Sequence, residues 1–167
     1  MRRMIWTAMA GALALSGCAA ATIDGPPPEP LGLTVNSWGK PLFEWTINPD
    51  GSGTYTYADD TGAKDFRDYK RITKRLAVGT EGHAQIAALL APARRYAGAG
   101  LPCERSITDM PYGEIRFGAP PPRTVKYDLG CRSGATGPVH AGLTKAQDRM
   151  IEWAKGAPVI ETRQAQP

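Results

Sequence analysis

The candidate side chains for chemistry are His83, Glu104, Asp109, Ser133 and His140, beside the cysteines at 18, 103 and 131. Hydrolysis calls for a nucleophile next to a base, or for two carboxylates with separated pKa values. No local spacing joins these residues. The chain contains neither Gly-x-Ser-x-Gly nor His-Glu-x-x-His. A triad can be dispersed along a sequence, so a cleft joining Asp109 to His140, with Ser133 near, is the arrangement a hydrolase would require. The glycine-rich stretch from Gly130 to Gly142 reads as a loop and lacks the Gly-Lys-Ser/Thr of a phosphate loop. The expectation is a protein without catalytic machinery, cofactor or metal.

The N-terminus carries a different chemistry. Arg2 and Arg3 precede an apolar segment from Met4 to Leu15, the layout of a secretory signal. That segment is shorter than the roughly 20 residues that span a bilayer. The four residues Leu15-Ser16-Gly17-Cys18 then resemble a bacterial lipobox. The resemblance covers residues 1–18 only and implies a lipoprotein, cut before Cys18 and acylated on its thiol. Two or more acyl chains hold a protein stably on a membrane. Cys18 is then the lipid attachment residue. Ala19, where proteobacterial lipoproteins retained in the inner membrane commonly carry aspartate, implies the outer membrane, facing the periplasm.

Composition sets further limits. The formal charge is +4; without Arg2 and Arg3 the 20 basic residues become 18 against 16 acidic, or +2. So even a balance excludes nucleic acid as the expected partner. In an exported chain Cys103 and Cys131 form an even pair, and a disulfide is expected. A zinc site would need His83 and His140 as well, at spacings unlike known fingers.

Short alternating runs supply the scaffold. Leu33 and Val35, then Phe43, Trp45 and Ile47, alternate with polar residues as half-buried strands do. Asn48-Pro49-Asp50-Gly51 is a turn. It sets Trp45 opposite Tyr55 and Phe43 opposite Tyr57, with all four rings on one core face and Thr46, Thr54 and Thr56 on the other. Residues 64–78 fit either a helix (Phe66, Tyr69, Ile72, Leu76) or a strand (Ile72, Lys74, Leu76, Val78), and the tight preceding turn favours a third antiparallel strand. Its basic residues suit a protected edge. Alternatively Lys70, Arg71, Lys74 and Arg75 touch an anionic lipid or polymer. Thr80 caps a helix that places Ile86, Leu89, Leu90 and Ala93 on one face, with a kink or restart at Pro92. His83, near its start, reads as a surface or capping residue. Ile115 and Phe117, then Val125, Tyr127 and Leu129, form a second hairpin. Thr144-Lys145-Ala146-Gln147 is a capping box for a last helix, with Ala146, Met150, Trp153 and Ala154 as its apolar stripe.

The expected architecture is α+β: an antiparallel sheet of two hairpins, about five strands, with two helices packed on one face. The expected organisation is a signal peptide (1–17), an acylated Cys18 and proline-rich spacer (18–30), one domain (31–158) and a flexible tail (159–167). The functional expectation is a membrane-anchored envelope lipoprotein, a structural or protein-interaction accessory. The alternative is a binding or inhibitor module for an envelope polymer or hydrolase, which an exposed aromatic patch would favour.

Overall fold

A computed structural model describes residues 27–165. β1 (Leu31–Ser37) and β2 (Lys40–Ile47) meet at Trp38-Gly39, where φ is 52° and 78°. Two successive positive φ values match the twist of the flanking strands. β3 (Ser52–Asp59) returns through Pro49-Asp50-Gly51, and Gly51 supplies φ 81°. The register is the one that loop implies, Trp45 opposite Tyr55 and Phe43 opposite Tyr57. Trp45 is fully buried and Tyr55 nearly so, which makes this the core face.

β4 (Lys70–Ala77) pairs antiparallel with β3, in keeping with the strand reading. The loop before it wraps Lys40. The Lys40 ammonium pairs with Asp60 and lies 5.0 Å from the Phe66 ring centroid and 4.4 Å from that of Tyr69. Carboxylate and ring faces together make burial of that charge tolerable. α1 (Gly79–Leu90) follows, continued by a 3₁₀ helix over Ala91–Tyr96 that carries Pro92 in its first turn. Val78 is the N-cap and Thr80 lies inside the first turn, because Val78 N–H is already tied to the Gly51 carbonyl at 2.9 Å. Ile86, Leu90 and Ala93 are buried, as their spacing predicts.

β5 (Arg105–Ser106) and β8 (Cys131–Arg132) form a small ladder, and between them β6 (Tyr112–Phe117) and β7 (Arg123–Asp128) form the second hairpin. β6 adds to the free side of β1. α2 runs Thr136–Lys155, and β9 (Val159–Gln164) lies along β4. The sheet has seven strands in the order β7-β6-β1-β2-β3-β4-β9, all pairs antiparallel. The α+β class with two α-helices stands; about five strands was an undercount.

Three expectations at the ends of elements change. The last helix begins at Thr136, so Thr144 is mid-helix and donates to the His140 carbonyl at 3.1 Å instead of capping. Pro138 is tolerated because N–H groups of a first helical turn have no intrahelical partner. Residues 159–164, read as tail, form β9, since β4 offers them an unpaired ladder. The end of the spacer is docked: Pro30 O accepts from Gly118 N–H at 2.9 Å, and Glu29 pairs with Arg94 and Arg123. His83 is accordingly buried, its Nε2 donating to the Glu29 carbonyl at 2.8 Å.

Candidate functional site

Among the described residues no hydrogen bond links Asp109, Ser133 and His140 to one another. Asp109 sits exposed in a loop at φ 66°, and Ser133 Oγ donates to the Pro102 carbonyl at 3.2 Å. Burial and the nearby Arg132 guanidinium hold the His140 pKa below its ordinary value, against the opposing charge of Asp128. Neither Asp109 nor His140 lines the cavities described below. Glu104 borders an open hollow with Arg105, Arg132 and Ser133. Among the described residues no three His, Cys, Asp or Glu side chains converge as metal ligands.

The basic strand distributes its charges. Arg71 and Arg75 occupy the outer sheet face, where Arg71 reaches Glu44 at 3.2 Å. Lys74 points to the helix side and donates to the Ala154 carbonyl at 2.8 Å, at the C-terminus of α2. Lys70 faces Asp59 across the ladder. The four do not share one surface, and β4 is not an edge, because β9 covers it. Cys103 and Cys131 have Sγ atoms 1.96 Å apart and Cα atoms 5.1 Å apart, within the range of a disulfide. Cys18 lies outside the described residues, among which no helix is long and apolar enough to cross a membrane.

The constellation that does form is at the sheet end marked by the β1–β2 tip. The outward positions of β1, β6 and β7 set Thr34 opposite Glu114, Glu114 opposite Lys126, and Asn36 and Asp128 opposite Tyr112. These six side chains border a groove of about 560 Å³, walled on its far side by Gly100 and Leu101. That wall exists because Leu101 N–H donates to the Lys126 carbonyl at 3.0 Å, carrying the loop along the outer edge of β7. Asp128 accepts from Gly130 N–H at 2.6 Å, and Thr34 Oγ accepts from Arg116. Among the described residues the side chains of Asn36, Tyr112, Glu114 and Lys126 have no such partner, so donors and acceptors of both kinds are left for a ligand. Tyr112 is 41% exposed, and Trp38, at the adjoining tip, is 71% exposed. Their rings supply apolar faces beside the polar groups.

Glu114, Lys126 and Asp128 alternate in sequence with the buried residues of the second hairpin, yet no sequence signal says which outward residues become neighbours. Asn36 and Tyr112 join them only through the β1–β6 pairing, between segments far apart in the chain.

These features define the class: an α+β protein whose seven-stranded antiparallel sheet is backed by helices on one face and carries a polar, aromatic-edged groove at one end. Comparison with protein-family models, curated proteins and solved structures finds no match.

Proposed function

We propose that the chain is a lipid-anchored cell-envelope protein that works by binding, with the groove around Tyr112 as its contact site for a neutral envelope polysaccharide. The observation that carries this reading is the position of the groove relative to the point where the chain joins the domain. Residues 27–30 lead into Leu31 at one end of β1, and the Trp38 tip and Asn36 lie at the other. At about 3.4 Å per residue these ends are about 20 Å apart. A tether at Cys18 therefore presents the groove away from the membrane. Sugar rings need hydrogen-bond donors and acceptors for their hydroxyls and a flat apolar surface for their C–H faces. Asn36, Glu114, Lys126, Asp128 and the Tyr112 ring offer that combination. Glu114 and Asp128 against Lys126 leave the groove without the excess positive charge that a polyanion would select. A protein partner at the same end is the second reading, favoured by exposed Ile107 and Met110 beside Tyr112 in sequence.

The test has two arms. Cys18→Ser should accumulate as precursor and leave the detergent phase, and mass spectrometry of the wild-type chain should find acyl groups on Cys18. An unmodified chain starting at Ala20 or later would reject the anchor. Detergent-solubilised full chain should sediment with isolated envelope polysaccharide, and Tyr112→Ala should weaken this about tenfold, as loss of a ring contact and its burial does. Unchanged sedimentation in Tyr112→Ala would reject the groove.

A further inference from the structure

A second cavity lies behind the first, on the core side of the sheet, between its β1–β2 end and α2. Its volume is about 180 Å³, and its wall is apolar: Leu33, Val35, Leu42, Phe43, Leu129 and Leu143. The cavity exists because of a β-bulge. Between Val35 and Asn36 the β1–β2 register slips, with Phe43 opposite Val35 and Pro41 opposite Asn36. Leu42 is the extra residue, and a bulge bends its strand away from the neighbour's regular path. Leu42 packs against the core together with Phe43 instead of facing the opposite side of the sheet.

Three of the polar side chains of this cavity come from α2. Gln147 lines it; Gln147 Nε2 donates to the Tyr55 hydroxyl at 3.1 Å, while Gln147 Oε1 is buried with no partner. Burial of an unsatisfied carbonyl costs free energy comparable to a lost hydrogen bond. Thr144 and Asp148 border the same space one turn apart on the helix. The Tyr127 hydroxyl, also on the wall, is already spent on the Thr34 carbonyl at 2.9 Å. Size decides the ligand class. Sites for drug-sized molecules run from about 300 Å³ upward, whereas an apolar cavity of about 150 Å³ takes benzene.

We propose that this cavity is a binding site for a free single-ring molecule carrying one hydroxyl, the ring against the leucines and the hydroxyl donating to Gln147 Oε1. The site is separate from the groove and does not depend on its reading.

The probes are phenol and toluene, titrated into the full chain held in nanodiscs and followed by methyl NMR. Phenol should shift the methyl signals of Leu33, Val35, Leu129 and Leu143 saturably. In Gln147→Leu the ratio of phenol to toluene affinity should fall about tenfold, the ratio that about 1.4 kcal/mol represents. Partition into lipid is the same for both proteins and cancels from that comparison. Leu129→Trp, at a half-buried position, should fill the space and abolish binding of both probes while the remaining methyl spectrum keeps its dispersion. Absence of saturable shifts with either probe, as for a water-filled cavity, would overturn the proposal. So would an unchanged ratio in Gln147→Leu.

Discussion

Gly142 shows how one residue changes meaning with its surroundings. Within a glycine-rich run it reads as loop, yet it lies in the middle of α2 and is buried. A Cβ there would stand 2.1 Å from the Leu89 carbonyl oxygen, so its missing side chain is what lets α2 approach α1. The contact atom is backbone and cannot swing aside. Gly142→Ala is therefore expected to destabilise the domain by about 1–3 kcal/mol despite the better helix propensity of alanine. Urea denaturation measures this, and a variant as stable as wild type would mean that the helices separate freely. Lys74 is a second case, a cation read as a surface charge that instead meets the carbonyls closing α2, where a positive charge complements the helix dipole.

Among the elements, α2 is the one that sets the topology. It starts after β8, which follows β7 in the chain at one edge of the sheet, and delivers the chain to β9 at the other. Its contacts step across in order: Thr136 to the Cys131 carbonyl, Leu143 near Leu33, Gln147 to Tyr55 on β3, Ala154 to Lys74 on β4. Strand spacings of about 4.8 Å across this sheet add up to about 29 Å. A helix of 20 residues reaches about 30 Å, whereas one starting at Thr144 would stop short. β9 follows as the strand that covers β4. A chain ending at Pro158 should keep its other strands but expose β4, whose amide exchange should quicken about tenfold or more. Its Lys70, Arg71 and Arg75 should keep the new edge monomeric, because charged side chains oppose edge-to-edge pairing. Unaltered exchange in β4 would show that β9 contributes no protection.

For the whole molecule, both ends of the sheet are tied to distant chain. At the end where the chain enters β1, Glu29 holds Arg94 and Arg123 while its carbonyl holds His83. At the groove end the Cys103–Cys131 pair, 28 residues apart in sequence, fastens the loop before β6 to the start of α2. Closing a loop of that length is worth about 3–4 kcal/mol in the chain-entropy account. Reduction should lower the unfolding free energy by that amount, moving the denaturation midpoint down, and loosen the Gly100–Leu101 wall of the groove before the β1–β4 meander. Denaturation with and without reductant checks the first part, and amide exchange at Gly100 and Leu101 checks the second. An unchanged midpoint would count against a structural role for the bond.

What the sequence determined by itself is local: the two-residue alternation of β1, β2, β3, β6 and β7, the face each side chain takes, and the register across Pro49-Asp50-Gly51. Side-chain period and turn stereochemistry depend on neighbours in the chain, so they are written in neighbouring residues. The tertiary structure alone decided where α2 begins, that residues 159–164 become a strand, that His83 is buried, and that Asn36 meets Tyr112. Each of these depends on a partner distant in sequence: the width of the sheet, the open ladder of β4, the Glu29 carbonyl, the free side of β1. No local pattern records such a partner, because the free energy that selects it appears only when the remote surfaces are in contact.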